Sequence, residues 1–333
     1  MPKKQSNDQD FSYGYALRAA ARLSGLAVVV WAGVMLGLAA GVAAEEESPP
    51  DVELVELPAG DEVMLRAHYF PAGGPAGEKG DRDEDEQRAA RMEAVPIVIL
   101  HHWKGRASDY DWLAVYLQSK GHAVVVPDLR GHGESRSDRQ NVDRFKDRDI
   151  MNMINEDMEA VKKFLLAKND EKQLNVEKLC VIGVEFGALI AINWAVKDWS
   201  WPDLLTGKQG KDVKALVLVS PLSTWRGIKL DTGLRHPDVR ERLSMLLIVG
   251  AEDSRSLRPT KQLHGKLKRY HPEPLDDEEK GHKTLYYFPQ ETSLQGLKLL
   301  EQDDLHNELI IQKFIEARLV AKRHPWRSRL TGP

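Results

Sequence analysis

The chain of 333 residues contains a single cysteine, Cys180, placed inside an apolar run. An intramolecular disulfide is therefore impossible, a cysteine-based metal site is unsupported, and the thiol reads as a small core residue. A surplus of basic charge is also missing. The formal net charge is −4. Lys3, Lys4, Arg18 and Arg22 against Asp8 and Asp10 give the first 44 residues +2, which leaves −6 for the remainder and gives no electrostatic footprint for nucleic acid. The histidines lack metal-ligand spacing, and His101 and His102 are adjacent on a turn where side chains diverge, so no metal or other cofactor is implied. No internal repeat or low-complexity array is present.

One long uncharged run exists. Leu23 to Ala44 follows the basic N-terminal segment and precedes Glu45-Glu46-Glu47, with the small residues Val42 and Ala44 at its end. This pattern reads as an export signal cleaved after Ala44, and the run is also long enough to span a bilayer if it is retained. Either way the folded part is expected outside the cytoplasm: periplasmic, secreted, or anchored to the membrane by residues 23–44.

Residues 45–333 read as one domain. Asp51 to Tyr69 alternates around Pro58-Ala59-Gly60-Asp61 and predicts a β-hairpin, whereas residues 73–95, rich in glycine and then in charge, read as a disordered, solvated loop. Continuous apolar runs at Pro96–Leu100, Ala123–Val126, Leu179–Ile182, Ala215–Val219, Met245–Val249 and Leu285–Phe288 have the character of strands buried on both faces. Helical spacing separates them, as at Ile154, Met158, Val161 and Leu165, and again at Ile310, Ile311, Phe314, Ile315 and Leu319. The fold class is α/β, with a mostly parallel sheet covered on both sides. Ser220 to Ser244 is too short for a lid domain, so an open site is expected.

The chain is organised around LCVIGVEFGALIA, Leu179 to Ala191: an apolar strand, a sharp turn at Gly183-Val184-Glu185-Phe186-Gly187, and a second apolar run of helical character. A turn this tight strains its central residue and requires near-absence of side chains two positions before and after it, which Gly183 and Gly187 provide. The segment resembles the nucleophile elbow, Gly-x-Ser-x-Gly, of the α/β-hydrolase fold family, with Glu185 in place of the serine. The likeness extends from about Asp51 to Leu319. DLRGHGES, Asp128 to Ser135, resembles the Asp-x-Arg-Gly-x-Gly-x-Ser loop of the esterase, lipase and serine-aminopeptidase-like branch, and HHWKG resembles its oxyanion turn.

The resemblance implies oxyanion donors at the backbone N–H groups of Trp103 and Phe186, and an acid at Asp253 in IVGAEDSRS. A turn role is expected for His132. The resemblance also implies a histidine base just beyond the last strand, but Gln290 to Gly296 contains none, and His306 is the remaining candidate. The expectation is an exported hydrolase-like protein without serine-hydrolase activity, a pseudoenzyme in a binding or interaction role toward a small-molecule or acyl ligand. Its Glu185 carboxylate should fold back onto the amides of Phe186 and Trp103. The alternative is an active hydrolase of esters, epoxides or similar substrates, with Glu185 as carboxylate nucleophile or with a relocated serine, Ser220 being the nearest.

Overall fold

Eight strands share one sheet in the computed structural model, which describes residues 51–73, 83–137, 140–205, 207–274 and 282–329. They are β1 (Glu53–Pro58), β2 (Met64–Phe70), β3 (Pro96–Leu100), β4 (Ala123–Asp128), β5 (Leu179–Val184), β6 (Val213–Val219), β9 (Ser244–Gly250) and β10 (Leu285–Gln290); a separate hairpin is formed by β7 (Thr224–Trp225) and β8 (Ile228–Lys229). The sheet order is β1-β2-β4-β3-β5-β6-β9-β10. β1 and β2 pair antiparallel, β2 joins β4 antiparallel, and every later pairing is parallel. The apolar run of residues 23–44 lies outside the described residues.

The strand chemistry explains the layering. β3, β4, β5 and β9 are buried at every position, so their apolar residues feed two cores, one on each face of the sheet. The helix Phe186–Ser200, leaving β5, has eleven of its fifteen residues buried, including Trp194, which makes it a central rather than an amphipathic surface helix. Such a helix needs strands and helices on all sides. Among the described residues no helix is long and apolar enough to cross a membrane.

Two local readings need correction. Glu84–Glu93, expected within a disordered loop, form a helix with no buried residue. The Asp83 side chain accepts the Glu86 N–H, and Glu84, Asp85 and Glu86 in the first turn oppose the helix dipole, so local capping rather than burial supports it. The helix after β5 runs on past the apolar segment ending at Ala191 to Ser200, where the buried Asp198 pairs with Lys162 at 2.5 Å.

The DLRGHGES segment is structural throughout. Asp128 accepts the N–H groups of Ala107 (2.6 Å) and Glu134 (2.8 Å), while the Ser135 hydroxyl donates to Asp128 O (2.6 Å) and accepts the Arg66 N–H (2.8 Å). The Arg130 guanidinium, itself buried, reaches Asp157 and Asp61, each at 2.6 Å. Burial pushes Asp157 up to about 6 against the pull of this cation. These contacts tie the loop after β4 to the β1–β2 turn.

Candidate active site

β5 lies between β3 and β6, with its C-terminal end at the middle of the sheet edge. There the chain turns at Glu185, whose φ of 52° and ψ of −104° lie outside the ordinary regions for a residue with a side chain. The flanking glycines are forced by contact. A Cβ on Gly187 would lie 2.2 Å from Leu100 O, and one on Gly183 would lie 2.5 Å from Ala188 Cα. Strand, turn and helix therefore pass through one another's van der Waals space only without side chains.

The Glu185 carboxylate does not fold back on the elbow amides. Among the described residues it accepts no hydrogen bond from Phe186 or Trp103. It turns instead toward the loop after β10, where Oε1 lies 2.5 Å from the position a Cβ would take on Gly296. Gly296, at φ 56°, stands in the loop where the resemblance implies a histidine. Bulk at Glu185 and its absence at Gly296 are complementary.

The neighbouring polar groups are committed elsewhere. Gln295 bridges the ends of β6 and β9: its Oε1 accepts the Ser220 hydroxyl at 2.7 Å and its Nε2 donates to Gly250 O at 2.8 Å. Ser220, buried at φ 47°, also accepts the Gly296 N–H at 3.0 Å, so its hydroxyl is fixed as a strut. Asp253 caps the helix Ser254–Leu267, taking the Arg255 N–H at 3.1 Å and the Ser256 hydroxyl at 2.9 Å. The Arg255 N–H first, then the Ser256 hydroxyl, hold its carboxyl below the usual range. His306 stands at the N-terminal end of the helix Asn307–Ile315 without a side-chain cap hydrogen bond, with φ 47° and a side chain 70% exposed, and it lies 3.9 Å from the Glu308 carboxylate. The structure thus brings Glu185, Phe186 and Trp103 together, places Asp253 at the cap of the helix Ser254–Leu267 and leaves the His306 side chain exposed.

Two histidines do approach this region. His101 Nδ1–H donates to His102 O at 2.7 Å and its Nε2 accepts the Leu129 N–H at 3.1 Å, which fixes a neutral ring with both nitrogens occupied. His132 packs against it at 4.7 Å between ring centres and donates Nδ1–H to Arg130 O at 3.0 Å. Burial drives His101 down to about 4 and, with the adjacent His101 ring, His132 down to about 3. His132 Nε2 is buried without a partner among the described residues. Neither ring is hydrogen-bonded to Glu185.

The indole of Trp103 packs beside the elbow. It meets Phe186 edge-on at 5.1 Å, His132 at 5.1 Å and Trp225 of the β7–β8 hairpin at 5.6 Å, with the Arg226 guanidinium 5.3 Å over its face. Gln295, Gly296, Trp225 and Arg226 were not singled out from the sequence. A glycine inside the loop expected to carry the base was the one available signal. Among the described residues no group of three or more His, Cys, Asp or Glu side chains is placed to hold a metal ion.

Comparisons agree with this architecture. The family model described as serine aminopeptidase, S33, matches residues 93–267, more than half of the chain and ending before the loop that holds Gly296. Among solved structures, an esterase of Pyrococcus furiosus is 15% identical with a TM-score of 0.52, over 81% of this chain and 93% of that one. A dienelactone hydrolase of Anabaena variabilis is 16% identical with a TM-score of 0.53, over 81% and 99%. A serine hydrolase without lid from Xanthomonas campestris is 15% identical with a TM-score of 0.51, over 83% and 98%. At such identities these likenesses establish the fold alone. No curated protein matches the chain in sequence.

Proposed function

Because the chain belongs to the serine aminopeptidase (S33) family of α/β-hydrolases, we propose that it is an exported member that has given up serine-hydrolase chemistry and acts by binding. The observation that carries this reading is the pairing of Glu185 with Gly296. A triad needs a nucleophile, a base to take its proton and a group to orient the base. Here a carboxylate occupies the nucleophile position and leans into the room an imidazole base would need. Restoring only the serine would leave it without a base, and restoring only the histidine would collide with Glu185.

The elbow amides remain available. Neither the Phe186 nor the Trp103 N–H has a hydrogen-bond partner among the described residues, and Phe186 opens the central helix, whose dipole favours an acceptor there. A carbonyl group of an acyl ligand fits that pair of donors. The Trp103, Phe186 and Trp225 rings would take its apolar part. The proposed ligand is therefore a small acyl compound that is held and not cleaved.

The test is turnover of short acyl esters, aminoacyl amides, epoxides and haloalkanes by the full chain and by its Glu185→Ala variant, alongside calorimetric binding of short-chain acyl amides. Binding without turnover in both proteins is the expected result. Turnover by the parent that disappears in the variant would establish Glu185 as a working carboxylate nucleophile and end the binding-only reading.

A further inference from the structure

The sheet end opposite the elbow carries three features that the site does not use. The first is an apolar tip between the central helix and β6, Trp201-Pro202-Asp203-Leu204-Leu205, in which Leu205 is fully exposed and Leu204 and Trp201 are 51% and 39% exposed. The second is the C-terminal segment 321–329. It is tied down by Asn175 Nδ2–H to His324 O (2.8 Å), Asn169 Nδ2–H to Arg327 O (2.9 Å) and the Arg329 N–H to Asp170 (2.6 Å). Arg329 then turns inward to Asp212 at 2.5 Å and donates to Lys208 O at 2.9 Å, three residues past Leu205, so tip and strap form one surface.

Lys322, Arg323 and Arg327 make no ion pair among the described residues, and Arg323 and Arg327 are exposed. They flank the half-buried Trp326, and Arg329 ties their segment to the loop that exposes Trp201, Leu204 and Leu205. Unpaired cations on a segment joined to exposed apolar side chains are the composition of a surface that settles into the headgroup region of a bilayer.

The third feature is the chain's point of entry. Gln118 holds Asp51 O (2.9 Å) and Pro71 O (3.0 Å) at this same end of the sheet. Five strand spacings separate β1 from β6 in the sheet order, so the entry point and the tip lie roughly 24 Å apart along one edge. Only Glu45 to Pro50 separates Asp51 from the apolar run of residues 23–44, a reach of at most ~20 Å. A bilayer holding that run would face the tip and the strap. Glu45, Glu46 and Glu47 carry the wrong sign for an anionic surface, so the strap must supply the attraction.

We propose that this end of the molecule is a membrane-docking surface: with residues 23–44 inserted, Trp201, Leu204 and Leu205 enter the interface while Lys322, Arg323 and Arg327 bind anionic headgroups. The inference does not depend on whether the elbow site is catalytic.

The test uses the full chain in vesicles. Cys180 is buried, so Leu205→Cys supplies one accessible thiol for an environment-sensitive fluorophore, and Met151→Cys, at an exposed position beside the β1–β2 turn, supplies the control. In vesicles containing phosphatidylserine and nitroxide-labelled lipid, the probe at position 205 is quenched and the probe at position 151 is not. Changing Lys322, Arg323 and Arg327 together to Gln lowers the docked-to-free ratio on the order of 100-fold, about fivefold for each cation. Equal quenching in purely zwitterionic vesicles overturns the proposal. So does a probe at position 205 as open to aqueous iodide in vesicles as in detergent, and so does a spectral shift that follows protein concentration without lipid, which would place a second copy on the tip.

Discussion

Replacing Gly296 by alanine tests the geometry on which the functional reading rests. The residue sits at φ 56°, and the added Cβ would lie 2.5 Å from Glu185 Oε1, 2.7 Å from Cδ and 3.0 Å from Cγ. An L-residue in left-handed backbone costs about 1–2 kcal/mol. The carboxylate must also swing out of its place, and a side chain driven off its preferred rotamer costs about 0.5–1.5 kcal/mol. Gly296→Ala should therefore destabilise by about 2–3 kcal/mol in the parent but by only about 1–2 kcal/mol in a Glu185→Ala background, a coupling of about 1 kcal/mol. Urea unfolding of the four proteins gives the cycle, provided the slope of free energy against denaturant stays constant. Additivity to within about 0.5 kcal/mol would show that the carboxylate does not lie against Gly296, and the argument for a blocked base position would fail.

Gly187→Ala should cost at least about 3 kcal/mol, the upper range for overpacking, because its Cβ would meet the backbone oxygens of Leu100 and His101 at 2.2 and 2.8 Å and backbone cannot swing aside; a urea midpoint near that of the parent would refute the tight elbow. Arg130→Met strands the buried Asp157 carboxylate, a loss of about 3–5 kcal/mol that a second change, Asp157→Asn, should partly restore; an unaltered midpoint in the single variant would count against the pairing. His101 and His132 have native pKa values near 4 and 3, below the unfolded value of about 6.5. The unfolded chain therefore binds the extra protons first. Their contribution to stability is complete above about pH 6.5 and is lost as the pH falls toward 4 and below, with a slope of up to about 1.4 kcal/mol per pH unit for each ring. Urea midpoints between pH 4.5 and 7.5 should show this slope, and His132→Gln should remove one proton's share of it; an unchanged slope would mean that the ring is protonated in the native state.

The parts of the fold legible in the sequence were those written in local chemistry. Strands buried on both faces read as unbroken apolar runs, and the paired glycines of the elbow announced a steric demand that any occupant of position 185 must meet. The helix Glu84–Glu93 was not legible for the opposite reason: it buries nothing, so no apolar period marks it, and its support comes from Asp83 and a few charges. Asp253 was ambiguous in principle, because Asp-x-x-Ser at a strand's end suits both a catalytic acid and a helix cap. In the structure the Arg255 N–H and the Ser256 hydroxyl occupy its two carboxylate oxygens, the cap arrangement. The Glu185–Gly296 contact joins residues more than one hundred positions apart and follows from the placement of β5 and β10 across β6 and β9. No local pattern encodes that distance.

Backbone strain is commonly taken as a mark of function, because something must hold a residue in a sparsely populated conformation. In this chain the strain at Glu185 has a sufficient cause without catalysis. β5 ends in the middle of the sheet, and the helix after it must cross back over β3 within van der Waals contact of Leu100 O. That crossing demands the sharp turn whichever side chain stands at its centre. The elbow conformation is thus a property of the topology and would be kept after a nucleophile is lost. What distinguishes a working site from a retained one is the set of groups around the turn. Here a glycine faces Glu185 from the loop after β10, Gln295 braces that loop, and Asp253 caps the helix that follows β9.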